Sequence, residues 1–532
     1  MRDTPMAGSA HKATGAEKEG HDLVVLYFPK VIPQPFNGAP LGLLAAAALA
    51  DRAGYTVRIV TDDGCSDALG ELKSVLPRAL LVGISTMTGY QLKGAVKASK
   101  LVKSIVPEIP VVWGGWHPTV CPEQTIQQPY VDFIVRGQGE LTLLELTSAL
   151  KASSNRFGDI PGLGWKRAST PVLNAPRPLF YDESWPDIPF HLIDVERHLR
   201  VTEVGDRVID LFTSYGCPYD CTFCAENHFS KKRWAGMSAE KVLNQIRLLI
   251  DRHHIDGVVF RDNNFFVNKI RALDVATMIK SIPQPFAWGQ CMGRTDTLLQ
   301  YDDAEWDLLR ESGLKSIFIG AESGLPESLK LINKKATVEQ TLRLAEIADK
   351  KGIAIWYSFL AGYPWVSGQE PNSLSHVREK NREDFSATID LVDRIARKGS
   401  NNRYLYFRYT PYPATKMAEY TEELGVHVPD SLEAWSNYSL DSDNTGFLDR
   451  DVSRKLDVLQ GFVLPCLSNV SKDIASRARG RFMRFMAGSL IRIFESLAWL
   501  RWRRKWFFEG PDSCLYRKLR RVYESRFLGS AK

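Results

Sequence analysis

The sequence predicts an α/β protein with two successive parallel sheets and a helical C-terminal region. Short apolar runs alternate with helix-forming stretches in two series, a pattern typical of parallel strands covered by helices. A segment rich in Pro and Trp, residues 156–206, separates the two series and is expected to be a linker. After about residue 425 the strand pattern fades, and the 532-residue length is sufficient for two or three domains.

The first series predicts a doubly wound sheet over residues 22–155. It begins with the apolar run Leu23–Phe28, which Pro29 ends, and an Ala- and Leu-rich helix follows. Further strands are expected at residues 55–60, 79–84, 111–113 and 133–136. Ligands of such sheets lie beyond the carboxyl ends of the strands. The segments at those ends are residues 29–40, 85–89, 114–119 and 137–140.

The second series predicts six strands alternating with helices over residues 207–425. This indicates a barrel or partial barrel whose chemistry lies at the carboxyl ends of its strands. The strands are expected at residues 208–213, 257–261, 287–293, 316–320, 354–361 and 404–409. Residues 426–532 are expected to be helical, and residues 1–21 form a polar tail.

Three cysteines follow the first strand of the second series at C-x3-C-x2-C spacing: Cys217, Cys221 and Cys224. A loop this short directs three thiolates at one metal cluster. A zinc site would need a fourth ligand, such as His228, and is the lesser alternative. Cysteine thiolates are the usual ligands of iron–sulfur clusters, and a [4Fe–4S] cluster held by three of them has one iron open to a substrate or cofactor.

This motif resembles the signature of the radical SAM superfamily, in which an aromatic residue, here Phe223, precedes the third cysteine. The resemblance implies that S-adenosylmethionine (SAM) binds the open iron and is cleaved to a 5′-deoxyadenosyl radical that abstracts hydrogen. It also implies SAM contacts at successive strand ends: Asp262 and Asn263, Arg294, Glu322 and Ser323, and Gly362. Many relatives have two successive carboxylates where this chain has Asp262-Asn263-Asn264, so the assignment within that triplet stays open.

Four segments of the first domain together resemble the cobalamin-binding domain that precedes the barrel in one large subclass of that superfamily: residues 40–43, 82–86, 112–119 and 136–140. The resemblance implies a flavodoxin-like (Rossmann-like) fold. It implies cobalamin contacts at Ser85, Thr86, Gly114, Gly115, His117, Gly137, Gly139 and Glu140. Because the chain has no Asp-x-His-x-x-Gly element, no protein histidine is expected on cobalt, and His117 is instead expected to bond the nucleotide tail.

The resemblance implies a C-methyltransferase that uses a [4Fe–4S] cluster, SAM and cobalamin as methylcobalamin. The methyl group would go to an unactivated carbon of a small or lipid-like molecule, and a flavodoxin- or ferredoxin-type donor would reduce the cluster. Two alternatives stay open. One is an oxidative cyclase, ring-contracting or hydroxylating enzyme with the same cofactors, acting on a porphyrin- or lipid-like substrate. The other is a non-catalytic corrinoid or iron–sulfur sensor.

The basic charge of the chain is concentrated at its C-terminus. Residues 477–532 hold fifteen Lys and Arg against four Asp and Glu, so the rest of a chain with net charge +6 is acidic. Trp and Phe are mixed with Arg over residues 490–508, which predicts a helix that either lies on an anionic membrane or packs its rings on the barrel. No nucleic-acid-binding module accompanies the charge, so no nucleic acid is expected.

The first 21 residues contain no apolar segment of the kind found in secretory signals. This predicts a cytoplasmic protein. If the basic aromatic helix binds lipid, the protein is expected at the inner face of the membrane as a peripheral protein.

Overall fold

A computed structural model describes residues 22–32, 38–62, 67–366, 373–399, 401–438, 443–468 and 481–523. The predicted tail, residues 1–21, lies outside the described residues. The structure confirms the predicted class, with two α/β units followed by helices.

The first unit is a seven-stranded sheet in the order β2-β1-β3-β4-β5-β6-β7. Its first five strands are parallel. The strands are β1 Leu23–Phe28, β2 Thr56–Thr61, β3 Ala79–Ser85, β4 Val111–Gly114, β5 Phe133–Val135, β6 Leu163–Arg167 and β7 Thr170–Leu173. The helices are α1 Leu41–Arg52, α2 Ala68–Val75, α3 Gln91–Ile105, α4 Trp116–Val120, α5 Pro122–Ile126 and α6 Glu140–Lys151.

Strands β1 and β3 are interior strands of this sheet, and both of their faces are covered. Their near-continuous runs of Leu, Val and Ile are therefore buried throughout rather than on alternate residues. Helix α1 packs beside α6 on one face, and α3 packs on the other face. Because β1, β3, β4 and β5 are parallel, their carboxyl ends meet at one edge of the sheet.

The antiparallel hairpin of β6 and β7 corrects the sequence analysis, because it lies within the segment expected to be a linker. Strand β6 pairs antiparallel with β5 and extends the first sheet. Two buried apolar side chains, Leu163 and Trp165, anchor it. The hairpin was missed because its two strands are only five and four residues long and lie among prolines.

The second unit is a six-stranded parallel sheet in the order β15-β14-β13-β12-β11-β8, a partial barrel. Its strands are β8 Val208–Leu211, β11 Gly257–Phe260, β12 Ala287–Gly293, β13 Leu314–Glu322, β14 Ala354–Ala361 and β15 Arg403–Arg408. A short antiparallel pair, β9 Ser214–Gly216 and β10 Trp234–Gly236, lies beyond the end of β8.

Helices follow the barrel strands as the sequence predicts. They are α7 Glu226–Ser230, α8 Ala239–His253, α9 Lys269–Lys280, α10 Thr295–Leu298, α11 Asp303–Glu311, α12 Pro326–Leu331, α13 Val338–Lys351 and α14 Leu374–Ala396. Helix α13 illustrates how the local sequence sets the bounds. Thr337 and Gln340 form a capping box at its start, and Gly352 ends it with φ +68°.

The region after β15 is helical. It contains α15 Lys416–Glu423, α16 Leu432–Trp435, α17 Arg450–Val458, a π-helical turn Leu459–Val463, α18 Leu464–Leu467 and the helices Arg481–Arg504 and Pro511–Tyr523. Helix α16 returns to the first domain, where Trp435 is buried in the same core as α3. The helix Arg481–Arg504 packs on α14, and Trp502 Nε1 donates a hydrogen bond to Asp393 over 3.0 Å.

Within the described residues, no helix combines the length and apolar character needed to cross a bilayer.

Candidate active site between the two α/β domains

A cavity of about 400 Å³ lies where the strand ends of the first sheet face the second domain. One wall comes from the loops after β3, β4 and β5 of the first sheet. The other wall comes from Tyr215 on β9, Glu226 on α7, and Arg261 and Asn263 after β11. The cavity therefore lies between the predicted cobalamin wall and residues that flank the cysteine loop, and Asn263 is the predicted SAM residue among those that line it.

Seven of the eight residues predicted to contact cobalamin line this cavity: Ser85, Thr86, Gly114, Gly115, Gly137, Gly139 and Glu140. Their loops are joined by hydrogen bonds. The Thr119 hydroxyl donates to Gly115 O over 2.7 Å and accepts from Gly137 N over 2.9 Å. The turns after β4 and β5 are thus held together, and backbone rather than side chains forms most of this wall.

Gly115 shows why this wall needs glycine. Its φ is +102°, and a Cβ atom built there would lie 2.7 Å from the carbonyl oxygen of Thr86. A side chain would be strained and would displace the neighbouring loop. The glycine therefore lets the loops after β3 and β4 approach closely and sets the shape of this wall.

His117 is the exception among the predicted cobalamin residues, because it does not line the cavity. Its ring is fully buried, with Nδ1 3.0 Å from the Thr88 hydroxyl and its edge near Trp435 of α16. Burial lowers the pKa of His117 to about 3, so the ring is neutral. His117 lies beneath the loop after β4, and its buried Nε2 has no hydrogen-bond partner among the described residues, so the contact with the nucleotide tail stays a prediction.

Glu140 and Tyr215 meet across the domain boundary at the edge of the cavity. Glu140 is the first residue of α6 and is 4% exposed. Burial raises its pKa, although hydrogen bonding to Tyr215 opposes this effect. Burial raises the pKa of Tyr215, and the charge of Glu140 and the hydrogen bond to it raise this pKa further. The contact joins the glycine-rich wall to the strand that leads into the cysteine loop.

The three cysteines lie on the loop between β9 and α7, and none forms a disulfide. Gly216 allows this loop to start tightly: its φ is +80°, and a Cβ there would lie 2.2 Å from Arg233 O, just before the returning strand β10. Burial raises the pKa of Cys217, and raises that of Cys224 to about 12. The neighbouring thiolates reinforce both shifts, so the three sulfurs are close enough to interact.

No group of His, Cys, Asp or Glu side chains in the described part of the chain is arranged to hold a single metal ion. A four-iron cluster does not need such a group, because each thiolate binds a different iron. Iron would also favour the thiolate forms that burial disfavours. Three free thiols on one loop therefore fit a [4Fe–4S] cluster.

Two buried cations lie beside the cysteines. Arg294 Nη1 is 3.5 Å from Cys221 Sγ, and its guanidinium forms a bidentate pair with Asp296. Lys334 Nζ is 2.8 Å from Glu322 Oε1, and both side chains of this pair are 9% exposed. Glu322 has φ +64°, an uncommon conformation for a residue with a side chain and one that clusters at functional sites.

Asp262 does not reach the SAM side of the site, in contrast to the expectation. It is 1% exposed and accepts hydrogen bonds from Thr213 and Ser214, next to Arg271. Asn263 does line the cavity, and its Nδ2 donates to Glu226 Oε2 over 2.7 Å. Within the open triplet, Asn263 is therefore the residue that lines the cavity, and its contact with SAM stays a prediction.

The remaining predicted SAM residues lie around the cysteine loop and the end of the sheet. The centroid of the Phe223 ring lies 6.0 Å from Lys334 Nζ. Ser323 is fully buried and donates to Asp384 of α14, so its hydroxyl is already engaged. Gly362, with φ +91°, ends β14 beside Leu448.

Glu226, Lys334 and Tyr215 were missed by the sequence analysis. Glu226 is 4% exposed, and its Oε1 has no hydrogen-bond partner within the described structure. Its position two residues after the last cysteine was an available signal. Lys334 follows Glu322 by twelve residues, and only the tertiary structure joins them.

Comparisons with known proteins agree with this geometry. A B12 binding domain model matches residues 32–147, and a Radical SAM superfamily model matches residues 211–375. An uncharacterized methyltransferase of Pyrococcus horikoshii is 30% identical over 391 residues, which cover 72% of this chain and 78% of that protein. The chain belongs to the cobalamin-dependent radical SAM family. The family match confirms the predicted cofactors: a [4Fe–4S] cluster, SAM and cobalamin.

Two further relatives bear on the fold and the reaction of this radical SAM protein. The anaerobic magnesium-protoporphyrin IX monomethyl ester cyclase of Rubrivivax gelatinosus is 23% identical over 74% of this chain and 67% of its own. The structure of the methyltransferase TsrM from Kitasatospora setae, with cobalamin and a [4Fe–4S] cluster bound, matches with a TM-score of 0.63 at 17% identity. That match covers 90% of this chain and 99% of TsrM and supports the same fold.

Proposed function

We propose that this protein is a C-methyltransferase that places a methyl group on an unactivated carbon of a small or lipid-like molecule. The observation that carries the proposal is the shared cavity, which has the glycine-rich wall on one side and the residues next to the cysteine loop on the other. A substrate held there would face both walls. When bound, the cofactors supply a hydrogen-abstracting radical at the cluster and a methyl group at cobalt.

The glycine-rich wall would hold cobalamin by shape. Gly115 and Gly137 both have positive φ, and nothing lies within 4 Å of the position where Gly137 would carry a Cβ. Hydrogen bonds within the wall, such as those of Thr119 to Gly115 O and Gly137 N, fix the shape of these turns, against which a flat ring would pack. Glu140 and Gln138 at the start of α6 add polar groups at the same edge.

The barrel side would hold the cluster and SAM by charge. Cys217, Cys221 and Cys224 would bind the cluster. Arg294, next to Cys221, suits a carboxylate, and Glu322, which Lys334 holds in place, suits hydroxyl or ammonium donors. These pairings support SAM contacts at Arg294 and Glu322 more strongly than at Asp262. The carboxylate of Asp262 is already hydrogen-bonded within the core.

Glu226 would contact the ligand that occupies the cavity. Its Oε2 is bonded to Asn263, whereas its buried Oε1 has no donor among the described residues. A buried carboxylate oxygen without a donor is costly. An N–H or O–H of the substrate, or an amide of the corrin ring, would satisfy it.

The likeness to the anaerobic cyclase supports a second candidate, an oxidative enzyme with the same cofactors. The two candidates differ in their products. A methyltransferase adds CH2 to its substrate and forms S-adenosylhomocysteine. A cyclase or hydroxylase removes hydrogen or adds oxygen and needs no methyl transfer.

An anaerobic assay with methyl-deuterated SAM tests the proposal. The protein is purified with cobalamin, its cluster is rebuilt, and dithionite and an extract of small molecules are added. We expect 5′-deoxyadenosine, S-adenosylhomocysteine and a product that carries a deuterated methyl group. 5′-Deoxyadenosine with a product that has lost hydrogen and gained no label would favour the cyclase, and absence of both nucleosides would contradict enzyme function. Cys221→Ala is the inactive control.

A further inference from the structure

The C-terminal region exposes an unusual share of the apolar surface. Nine of the eighteen large apolar side chains that are exposed in the described structure lie within residues 481–523, which form less than a tenth of the chain. They are Phe485, Leu490, Ile493, Trp499, Leu500, Trp506, Phe508, Leu515 and Leu519. Such a concentration marks an interaction surface rather than ordinary scattered exposure. We call these residues, with the exposed cations between them, the C-terminal face.

The exposed side chains of the C-terminal face follow the helical repeat. On the helix Arg481–Arg504, Phe494, Ala498 and Trp502 point into the protein, at spacings of four residues. Ile493 and Leu500, seven residues apart, lie together on another side, where they are 57% and 46% exposed. The helices are therefore held to the protein by one set of apolar residues and present a second set outward.

Cations accompany the outward apolar residues. Arg492 and Arg503 are exposed and form no ion pair with any residue that the structure describes. Together with Trp499 and the single acidic residue Glu495 they line a groove of about 640 Å³ between this helix and the barrel. Residues 481–523 contain eleven Lys and Arg against three Asp and Glu, so this segment is strongly basic.

The position of the face in the fold argues against the electron donor as its occupant. The groove is lined by Asn402 and Tyr404, at the start of β15. The cysteine loop lies beyond the opposite, carboxyl ends of the barrel strands. A protein that reduces the cluster would have to dock near those carboxyl ends.

We infer that the C-terminal face docks on an anionic lipid bilayer. Trp, Phe, Leu and Ile side chains would enter the headgroup region, and Arg492 and Arg503 would lie against lipid phosphates. Apolar side chains and unpaired arginines on the same helices are the combination that such a surface requires. The inference concerns only where the protein is held, and it stands independently of the reaction.

Vesicle sedimentation of the full chain tests this inference. We expect the protein to pellet with phosphatidylcholine vesicles that contain phosphatidylglycerol and to stay in the supernatant with phosphatidylcholine alone. Arg492→Gln with Arg503→Gln should weaken binding roughly 25-fold, because each cation near an anionic surface contributes about fivefold. Ile493→Ser with Leu500→Ser should also weaken binding, including at high salt.

The matched control is Arg247→Gln with Arg252→Gln, two exposed arginines on α8. This pair removes the same net charge far from the face and should leave binding within about twofold. Thermal melting confirms that every variant is folded. The inference is wrong if the protein does not pellet with anionic vesicles at low salt, or if the α8 pair weakens binding as much as the first pair. It is also wrong if Ile493→Ser with Leu500→Ser instead dissolves a dimer of a protein that binds no vesicles.

Discussion

The two walls of the central cavity are built in opposite ways. The wall from the first domain is made of turns, with Gly114, Gly115 and Gly137 presenting backbone. The wall from the second domain is made of side chains, among them Tyr215, the buried Glu226 and Asn263, while Arg294 and Lys334 lie beside the cysteines outside this lining. A large flat ligand is best held by shape, whereas a small charged ligand is best held by ion pairs. The difference indicates which cofactor belongs to which wall.

The largest effect is expected at the cysteine loop. Cys221→Ala removes one thiolate of a set that acts as a unit, so cluster content and 5′-deoxyadenosine formation should fall by about a thousandfold or more. Iron and sulfide analysis together with the nucleoside assay checks this. Cys514→Ser, on the helix Pro511–Tyr523, is the control and should retain a full cluster. A cluster of normal content in Cys221→Ala would disprove the ligand assignment.

The ion pair of Lys334 and Glu322 tests whether the barrel side works by charge. Lys334→Met leaves Glu322 as an unpaired buried carboxylate, which should lower the free energy of unfolding by about 3–5 kcal/mol. Adding Glu322→Gln should recover most of that stability but not SAM affinity. Denaturant unfolding and SAM binding are the two measurements. If the double variant binds SAM as the wild type does, the pair is purely structural.

Gly115 tests whether the first wall works by shape. Gly115→Ala places a Cβ at positive φ and 2.7 Å from Thr86 O, which should cost about 1–3 kcal/mol and lower cobalamin affinity roughly tenfold. Gly114→Ala is the matched substitution, because its Cβ would meet only Val135 at 3.9 Å. Gly114→Ala should cause a clearly smaller loss of stability and of cobalamin affinity. Cobalamin titration followed by absorbance measures both, and equal losses would contradict the role of the tight turn.

His117 should make the stability of the protein depend on pH, and it should leave the cobalamin absorption spectrum unchanged. Its folded pKa of about 3 lies below the ordinary value of 6.5, so the unfolded chain binds the extra proton. The contribution of His117 to the free energy of unfolding is fully present above pH 6.5 and is lost as the pH falls toward 3. By pH 5 the loss of stability relative to pH 7 should amount to about 2 kcal/mol. His117→Gln should flatten this part of the unfolding curve, and a changed cobalt absorption spectrum in that variant would instead indicate ligation.

The sequence predicted the class of both domains because strand, helix and glycine patterns are local. The C-x3-C-x2-C motif and the turns at Gly115 and Gly137 were likewise visible in short segments. The contacts between domains could not be predicted in this way. Asp262 stands in the expected motif, yet it is buried in the core, where it accepts a hydrogen bond from Thr213, a residue far away in sequence. Tyr215 meets Glu140 only after the domains assemble.

The most direct test of the shared cavity is electron paramagnetic resonance of the protein loaded with both cofactors. Cob(II)alamin and the reduced cluster each carry an unpaired spin. If both occupy the walls of one cavity, the cobalt signal should broaden when the cluster is reduced, and the broadening should disappear in Cys221→Ala. Two unperturbed, independent signals in a protein with full cobalt and iron content would contradict the arrangement.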